Sequence, residues 1–268
     1  MLTLGVIGTG NMGEALLRGA LQSNAVAGSQ VTIFDTNREK AVRLGESLGV
    51  FVADSLPDLL RAADVLLLAV KPNVFDALLR ENRDALYGKA LISIAAGWSG
   101  KRLQASLPDD TRVLRVMPNT PALIGEGMTV FEAGDTLLPE EKEFATKLFS
   151  AVGKVETVDA KLMDAVIGVS GSGPAYVYMF IEALGDGGAR AGLPRDLSYK
   201  LAAQTLIGAA KMVEETGRHP GELKDMVCSP GGTTIEAVAT LEKNGLRRAV
   251  LAGVEACIER AKELDDNI

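Results

Sequence analysis

The chain has 268 residues, with 28 Lys and Arg against 35 Asp and Glu, a formal net charge of −7 and no basic tract. This balance argues against nucleic acid or an anionic membrane surface as a partner. The length exceeds the usual ~100–200 residues of one domain, so we expect two domains. The cysteines, Cys228 and Cys257, suit a reducing compartment, and their spacing matches no metal site.

The sequence also lacks membrane-targeting features. No apolar run reaches the ~18 residues of a membrane span, and the first residues enter an apolar strand without a basic leader. We therefore expect a cytoplasmic protein.

The N-terminal segment has the pattern of a strand, a glycine-rich turn and an amphipathic helix. Residues 4–13 read LGVIGTGNMG, and Glu14 to Leu21 have helical periodicity. In a βαβ unit Gly8 permits the tight turn, Gly10 lets the backbone approach a pyrophosphate, and Gly13 lets the helix pack on the strand. The N–H groups at the helix start would face the phosphates. The segment predicts a dinucleotide site.

The next strand, Gln30 to Phe34, leads to the residues expected at the adenine ribose. Asp35 stands near the ~20-residue offset at which an acidic residue holds the ribose, and it favours a free 2′-hydroxyl. Thr36, Asn37 and Arg38 are suited to a 2′-phosphate instead. These residues do not decide whether the coenzyme is NADH or NADPH.

Helices and strands continue to alternate as far as Asp159, which predicts a doubly wound, Rossmann-type sheet over residues 1–159. The further helices are expected at 39–48, 56–61, 74–86, 101–106 and 139–152, and the strands at 50–52, 65–70, 90–95, 112–117, 128–132 and 154–158. Lys71 follows the strand that ends at Val70, at the edge where open α/β sheets bind ligands. It is either a cofactor contact or a solvated strand end.

Residues 160–268 show only helical patterns and predict a second, all-helical domain. The expected helices are 161–169, 175–191, 198–216, 221–228, 234–241 and 246–264. The helix from Ala175 to Ala191 is apolar on most faces and contains Gly185, Gly187 and Gly188, which cost roughly 1 kcal/mol each unless close packing needs them. We expect a dimer whose helical domains cover each other.

Two small-residue loops in this region precede helices. Ser170 to Pro174 opens onto Ala175, and Ser229 to Thr234 opens onto a helix that starts near Thr234. Each is either a helix cap or an anion site, because unpaired N–H groups at a helix start attract carboxylates and phosphates. His219, the single histidine, precedes Pro220 in a helix-start turn and is expected to be a surface or capping residue. Alcohol oxidation generally needs a positioned acid or base, most often histidine, although a lysine could serve; reduction of a protonated C=N bond is less demanding.

Five motifs in the same order along the whole chain resemble pyrroline-5-carboxylate reductases. They are GTGNM from Gly8, AVKP from Ala69, MPNTP from Met117, SGSGPAY from Ser170, and the most specific, HPGELKDMVCSPGGTT from His219. The resemblance implies NAD(P)H-dependent reduction of 1-pyrroline-5-carboxylate to L-proline, the last step of proline biosynthesis. It also implies a Rossmann domain followed by a helical dimerisation domain, in a homodimer with or without further assembly.

The resemblance also implies the site residues. Together with Asp35, Thr36 and Arg38 from the pattern above, the cofactor-binding positions are Ile7, Gly8, Thr9, Gly10, Asn11, Met12, Ala69, Val70, Lys71 and Pro72. Asn119 would lie near the nicotinamide and the substrate. Ser229, Gly232 and Thr233 would bind the substrate carboxylate, and Thr234, the catalytic residue, would hydrogen-bond the ring nitrogen. NADPH is the commoner coenzyme in such enzymes, and Asp35 keeps NADH open.

Two other interpretations compete with this one. A β-hydroxyacid dehydrogenase also places helices after a Rossmann domain, but such enzymes use a lysine that the segment from Gly168 to Tyr176 lacks. A non-catalytic sensor of NAD(P)H would not need two serine- and threonine-bearing loops.

Overall fold

The structure is a computed structural model that describes residues 1–71 and 74–266. The chain forms two compact units: residues 1–172 together with those from Cys257 onward, and residues 173–256. The domain boundary at 159/160 stays a prediction.

The first unit is built on an eight-stranded sheet with the order β3-β2-β1-β4-β5-β6-β7-β8. The strands are β1 Leu4–Ile7, β2 Val31–Phe34, β3 Phe51–Val52, β4 Val65–Leu68, β5 Ala90–Ser93, β6 Arg112–Met117, β7 Gly127–Glu132 and β8 Gly153–Val158. The first six are parallel in the order 3-2-1-4-5-6, which confirms the doubly wound Rossmann-type sheet.

Helices cover both faces of this sheet. They are α1 Asn11–Gln22, α2 Arg38–Leu48, α3 Leu56–Ala62, α4 Phe75–Glu81, α5 Gly100–Ser106, α6 Pro139–Ser150 and α7 Met163–Val166. Alternate residues of β4 enter different cores: Val65 and Leu67 join one apolar cluster, and Leu66 and Leu68 join the other. A central parallel strand is buried on both faces, which explains its unbroken apolar sequence.

Two parts of the first unit differ from the sequence expectation. The helix expected over 74–86 is divided at Asn82, whose side-chain amide donates to the carbonyl of Leu78 at 2.9 Å, and a 3₁₀ turn, Arg83–Leu86, follows. Strand β7 runs antiparallel to β6, because only a short segment with one 3₁₀ turn, Thr120–Ile124, joins them. A parallel connection needs a crossover of a dozen or more residues.

The second unit contains helices α8 Gly173–Arg190, α9 Arg195–Thr216, α10 Pro220–Val227, α11 Thr233–Lys243 and the first part of α12 Leu246–Asp266. Glycines let α8 approach α9 closely. A Cβ on Gly185 would lie 2.4 Å from the Tyr199 ring, and one on Gly188 would lie 2.8 Å from Ser198 Oγ. Close packing therefore explains two of the glycines that the sequence marked.

The helices of the second unit leave many large apolar side chains exposed. Of residues 173–256, all of which are described, only Gly185, Ser198 and Ala202 are buried. The exposed apolar residues include Val177, Tyr178, Met179, Leu184, Leu201, Ile207, Met226, Val227, Val250 and Leu251. An apolar surface this extensive marks an interaction site.

Each described helix is too short or too polar to pass through a lipid bilayer.

A buried ion pair gives a test of the sheet. Arg115 Nη1 donates to Glu132 Oε2 at 3.0 Å, and the two side chains are 4% and 10% exposed. We expect Arg115→Leu to lower the free energy of unfolding by about 3 kcal/mol, because Glu132 keeps a buried charge without its cation.

Urea denaturation at constant protomer concentration measures this loss. Arg43→Ala, which removes the exposed pair with Glu39, is the control and should cost less than about 1 kcal/mol. Equal losses in both variants would contradict the buried-charge argument.

Candidate coenzyme and substrate sites

The turn after β1 lies at the carboxyl edge of the sheet. Ile7 pairs with Phe34 of β2 and Leu68 of β4, so these three strands end level. Gly8 N then donates to Phe34 O at 2.8 Å. Gly8 has φ +99°, and a Cβ there would lie 2.7 Å from the Ala69 carbonyl oxygen. Both the backbone angle and the lack of space require glycine at this position.

The start of α1 is suited to bind an anion. Gly10 is the N-cap and accepts from Glu14 N at 2.9 Å, but it has no side chain to accept from the amides of Asn11 and Met12. The first N–H groups of a helix have no intrahelical acceptor and carry partial positive charge. Apart from Gly10 and its two chain neighbours, no residue of the described chain has an atom within 4 Å of the position of a Gly10 Cβ. The turn therefore fits a dinucleotide pyrophosphate.

Asp35 binds the glycine-rich turn after β1, from Gly8 to Gly10, which is the predicted phosphate turn. Its Oδ2 accepts from Thr9 N at 2.7 Å and from Thr9 Oγ1 at 2.8 Å, and its Oδ1 accepts from Asn37 N at 2.9 Å. Burial alone would raise the pKa of Asp35, but the hydrogen bonds from Thr9 and Asn37 outweigh it and the pKa is lowered. The stability this carboxylate contributes is complete above its unfolded pKa and is lost as the pH falls through the lowered folded pKa.

Residues 36–38 divide into a cap and two exposed side chains. Asn37 Oδ1 accepts from Lys40 N at 3.0 Å and so caps α2. Thr36 is exposed, and the exposed Arg38 pairs with Asp54 at 2.6 Å. Because an exposed ion pair contributes little, Arg38 can exchange this partner for a phosphate.

The segment after β4 reaches the same sheet edge. Ala69 N donates to Ile7 O at 2.8 Å, Val70 is half-buried, and Lys71 is exposed. Pro72 lies outside the described residues. The structure thus places Ala69 beside Gly8, as the prediction of a coenzyme site requires. Lys71 can still be either a cofactor contact or a solvated strand end.

Asn119 joins two backbone segments. Its Oδ1 accepts from Met128 N at 2.9 Å, and its Nδ2 donates to Ser170 O at 3.0 Å. The amide therefore fixes the start of β7 to the segment around Ser170. Sequence reasoning placed Asn119 in the site but gave no sign of these bonds, because 51 residues separate Asn119 from Ser170.

The structure corrects the prediction of a loop from Ser170 to Pro174. Ile167–Gly171 forms a π-helical turn, α8 already begins at Gly173, and Ser172 N donates to Ile167 O at 2.9 Å. Small residues suggested a break, but the wider turn keeps the backbone hydrogen-bonded. Single π turns inside helices are frequent at functional sites.

The segment from Ser229 to Thr233 forms a turn directly before α11, as the sequence predicted, and both the cap and the anion site remain predictions. Gly232 N donates to Ser229 O at 3.0 Å, and Gly231 takes φ +67° at the third position of the turn. Gly232 is the N-cap of α11 and cannot accept from the amides of Thr233 and Thr234.

The hydroxyl groups of this second turn differ in exposure. Ser229 and Thr233 are exposed, and Thr234 is half-buried. His219 is the exposed N-cap of α10, where its Nδ1 accepts from Gly221 N at 3.0 Å, which confirms its expected role.

The fold and the first turn define the class of the chain, an NAD(P)-dependent oxidoreductase. A family model described as NADP oxidoreductase coenzyme F420-dependent matches residues 3–97, and one described as pyrroline-5-carboxylate reductase dimerisation matches residues 160–264. The chain belongs to the pyrroline-5-carboxylate reductase family, because relatives of that name match nearly its full length at 43% and 45% identity. The second match supports the expected homo-oligomer and accounts for the exposed apolar surface of the helices.

Relatives and solved structures carry this assignment. The chain is 43% identical over 262 residues to the pyrroline-5-carboxylate reductase of Escherichia coli (strain K12), covering 97% of each chain. It is 45% identical over 266 residues to that of Glycine max, covering 98% of this chain and 96% of the relative. The crystal structure of Plasmodium falciparum pyrroline carboxylate reductase with NADP bound is similar with a TM-score of 0.90, 32% identity and 98% coverage of both chains. The family resemblance is confirmed.

The two glycines of the phosphate turn predict different outcomes. Gly10→Ala should leave the thermal midpoint unchanged, because its φ of −66° suits alanine and the methyl group meets no protein atom. The methyl occupies the space for the pyrophosphate, so the Kd for NADPH should rise at least about tenfold, or roughly 1.4 kcal/mol.

Gly8→Ala is the contrast and should lower both the thermal midpoint and the affinity, because its Cβ meets the Ala69 carbonyl. Fluorescence titration and thermal unfolding measure the two quantities. Unchanged NADPH affinity in Gly10→Ala would remove this turn from the coenzyme site.

Proposed function

We propose that this chain reduces 1-pyrroline-5-carboxylate to L-proline with NADPH, with NADH accepted, in the last step of proline biosynthesis. The observation that supports this most is full-length similarity to pyrroline-5-carboxylate reductases at 43–45% identity. The geometry adds two helix starts whose amides are free to bind the two anionic ligands that this reaction requires, a coenzyme pyrophosphate and a substrate carboxylate.

The coenzyme end uses the turn after β1. The amides of Asn11 and Met12 bind the pyrophosphate, with Ile7, Gly8, Thr9 and Gly10 shaping the backbone around it. Thr36 and Arg38, beside Asp35, hold the 2′-phosphate, and Ala69, Val70 and Lys71 line the neighbouring strand end. Bound NADPH supplies the hydride.

The substrate end uses the turn before α11. Ser229 and Thr233 donate hydroxyl hydrogens to the carboxylate, and the amide of Thr233 adds a backbone donor. Gly232, whose own N–H donates to Ser229 O, closes the turn around this site. The protonated ring nitrogen donates to Thr234 Oγ1, which orients the ring for hydride transfer. A protonated imine is already electrophilic, so orientation is the main contribution of these residues.

Asn119 acts beside the nicotinamide and substrate by holding backbone. Its amide is already bonded to Met128 and Ser170, so its role is to keep the start of β7 and the π turn in place. Removal of this side chain would free both segments.

The helical domain forms the dimer, and dimers assemble further through surfaces still exposed. The apolar side chains of α8 and α9 support a second copy of the chain as the partner. We place the enzyme in the cytoplasm, where the free Cys228 and Cys257 remain reduced.

Consumption of NADPH and NADH, measured side by side with 1-pyrroline-5-carboxylate, tests the activity. Loss of absorbance at the reduced nicotinamide band, with L-proline formed in equal amount, is the expected result. Oxidation of neither coenzyme in the presence of this substrate would overturn the proposal.

Thr234→Ala tests the substrate turn. Loss of a hydrogen bond to a charged group costs ~1.5–3 kcal/mol, so we expect kcat to fall about tenfold or more, with the Kd for NADPH nearly unchanged. Thr240→Ala, the same change at an exposed position of the same helix, is the control and should keep full turnover. An unchanged kcat in Thr234→Ala would remove Thr234 from the mechanism.

A further inference from the structure

We propose that Asp35 is a positioning residue for the phosphate-binding turn, which it orders by holding Thr9, and that it therefore supports NADPH and NADH equally instead of selecting NADH at the ribose. The inference rests on the proposed function, because it assigns a role within the same coenzyme site. It differs from the usual role of an acidic residue after the second strand, which is to accept the ribose 2′-hydroxyl.

The first observation is the pair of hydrogen bonds that Thr9 donates to Asp35. Thr9 is fully buried, and both its backbone N–H and its hydroxyl donate to Asp35 Oδ2, at 2.7 and 2.8 Å. Two bonds to one oxygen fix the backbone and the side chain of Thr9 together. Since Thr9 lies between Gly8 and Gly10, these bonds limit the freedom that two glycines would otherwise give the turn.

The second observation is how few further hydrogen bonds the Asp35 carboxylate can accept. Each carboxylate oxygen accepts about two hydrogen bonds. Oδ2 is filled by Thr9, and Oδ1 already accepts from Asn37 N at 2.9 Å. Asp35 therefore connects the phosphate turn to the start of α2, and only one acceptor position is left for a ribose hydroxyl.

The third observation is the charge around Asp35. The hydrogen bonds lower the pKa of Asp35, and the positive charge of Lys40 acts in the same direction, so the carboxylate is ionised at neutral pH. An ionised carboxylate facing the ribose would repel a 2′-phosphate. Here three donors and a nearby cation compensate the charge, which leaves Thr36 and Arg38 to recognise the 2′-phosphate.

The chain contains a matched control at the other end of β1. Thr3 N and Thr3 Oγ1 donate to Asp64 Oδ2 at 2.9 and 2.8 Å, the same pair of bonds that Thr9 makes to Asp35. Asp64 also has a lowered pKa, in which hydrogen bonds from Thr3 outweigh the effect of burial. It precedes β4 at the edge opposite the phosphate turn.

Coenzyme titrations of Asp35→Asn, Thr9→Val and Asp64→Asn test the proposal. We expect Asp35→Asn to raise the Kd of NADPH and of NADH by the same factor, about tenfold, as for the loss of a charged hydrogen bond. The KM for coenzyme should rise while kcat at saturating coenzyme changes little. Thr9→Val should weaken both coenzymes, and adding it to Asp35→Asn should cost no more than the larger single effect. Asp64→Asn should change neither Kd.

Three results would overturn the proposal. Weaker NADH binding with unchanged or tighter NADPH binding in Asp35→Asn would show direct selection at the ribose. Additive effects of Thr9→Val and Asp35→Asn would show that they act separately. Equal losses in Asp64→Asn and Asp35→Asn would show general destabilisation.

Two further measurements keep the outcome decisive. Should Asp35→Asn fail to fold, Thr9→Val alone decides: equal weakening of both coenzymes supports the proposal, and unequal or absent weakening overturns it. The unaltered enzyme is titrated first. If it binds neither coenzyme, the proposed function fails; if it binds and turns over substrate while Asp35→Asn binds normally, only this inference fails.

Discussion

Direct contact between backbone atoms is the constraint on which the coenzyme end of this structure depends. A Cβ on Gly13 would lie 2.4 Å from Gly8 O, and one on Gly8 would lie 2.7 Å from Ala69 O. Helix α1 can therefore start directly above the ends of β1 and β4. The strand order reverses between these two strands, and open α/β sheets bind ligands at such a switch point. The glycines thus place unpaired amides where the topology opens a crevice.

The helical unit is subject to a different constraint, because it buries little surface by itself. Tyr178 and Met179 of α8 are 59% and 69% exposed, and Leu201 of α9 is 50% exposed. Side chains of this size stabilise a fold only when they leave water. A second copy that covers them makes the stability of these helices depend on protomer concentration. Folding of the turn before α11 and assembly of the protein are then linked.

Much of this architecture follows from local sequence patterns, and the exceptions share a cause. Strand β6 has the bounds expected from its sequence, because a short, mainly apolar segment lies there between turn residues on both sides. The π turn was expected as a loop, because Gly and Ser usually mark breaks. What holds the carbonyl of Ser170 there is Asn119, 51 residues away.

Asp35 was assigned a ribose contact from its spacing alone, and the sequence contained no sign of its bonds to Thr9. The two glycine-rich turns, after β1 and before α11, could be located from the sequence because glycine spacing is local. The hydrogen bonds that order the first turn could not, since they join side chains that only the folded sheet brings together.

Two threonine–aspartate pairs hold the ends of β1, a strand of only four residues. Thr3 ties its first end to Asp64, just before β4, and Thr9 ties the segment after its last residue to Asp35, just after β2. Each pair satisfies a backbone N–H beyond the strand with a charged acceptor, a stronger bond than a neutral one. A turn ordered before the coenzyme arrives loses less conformational freedom on binding. Because hydride transfer to an imine depends mainly on orientation, this order contributes to catalysis without any contact between Asp35 and the reacting atoms.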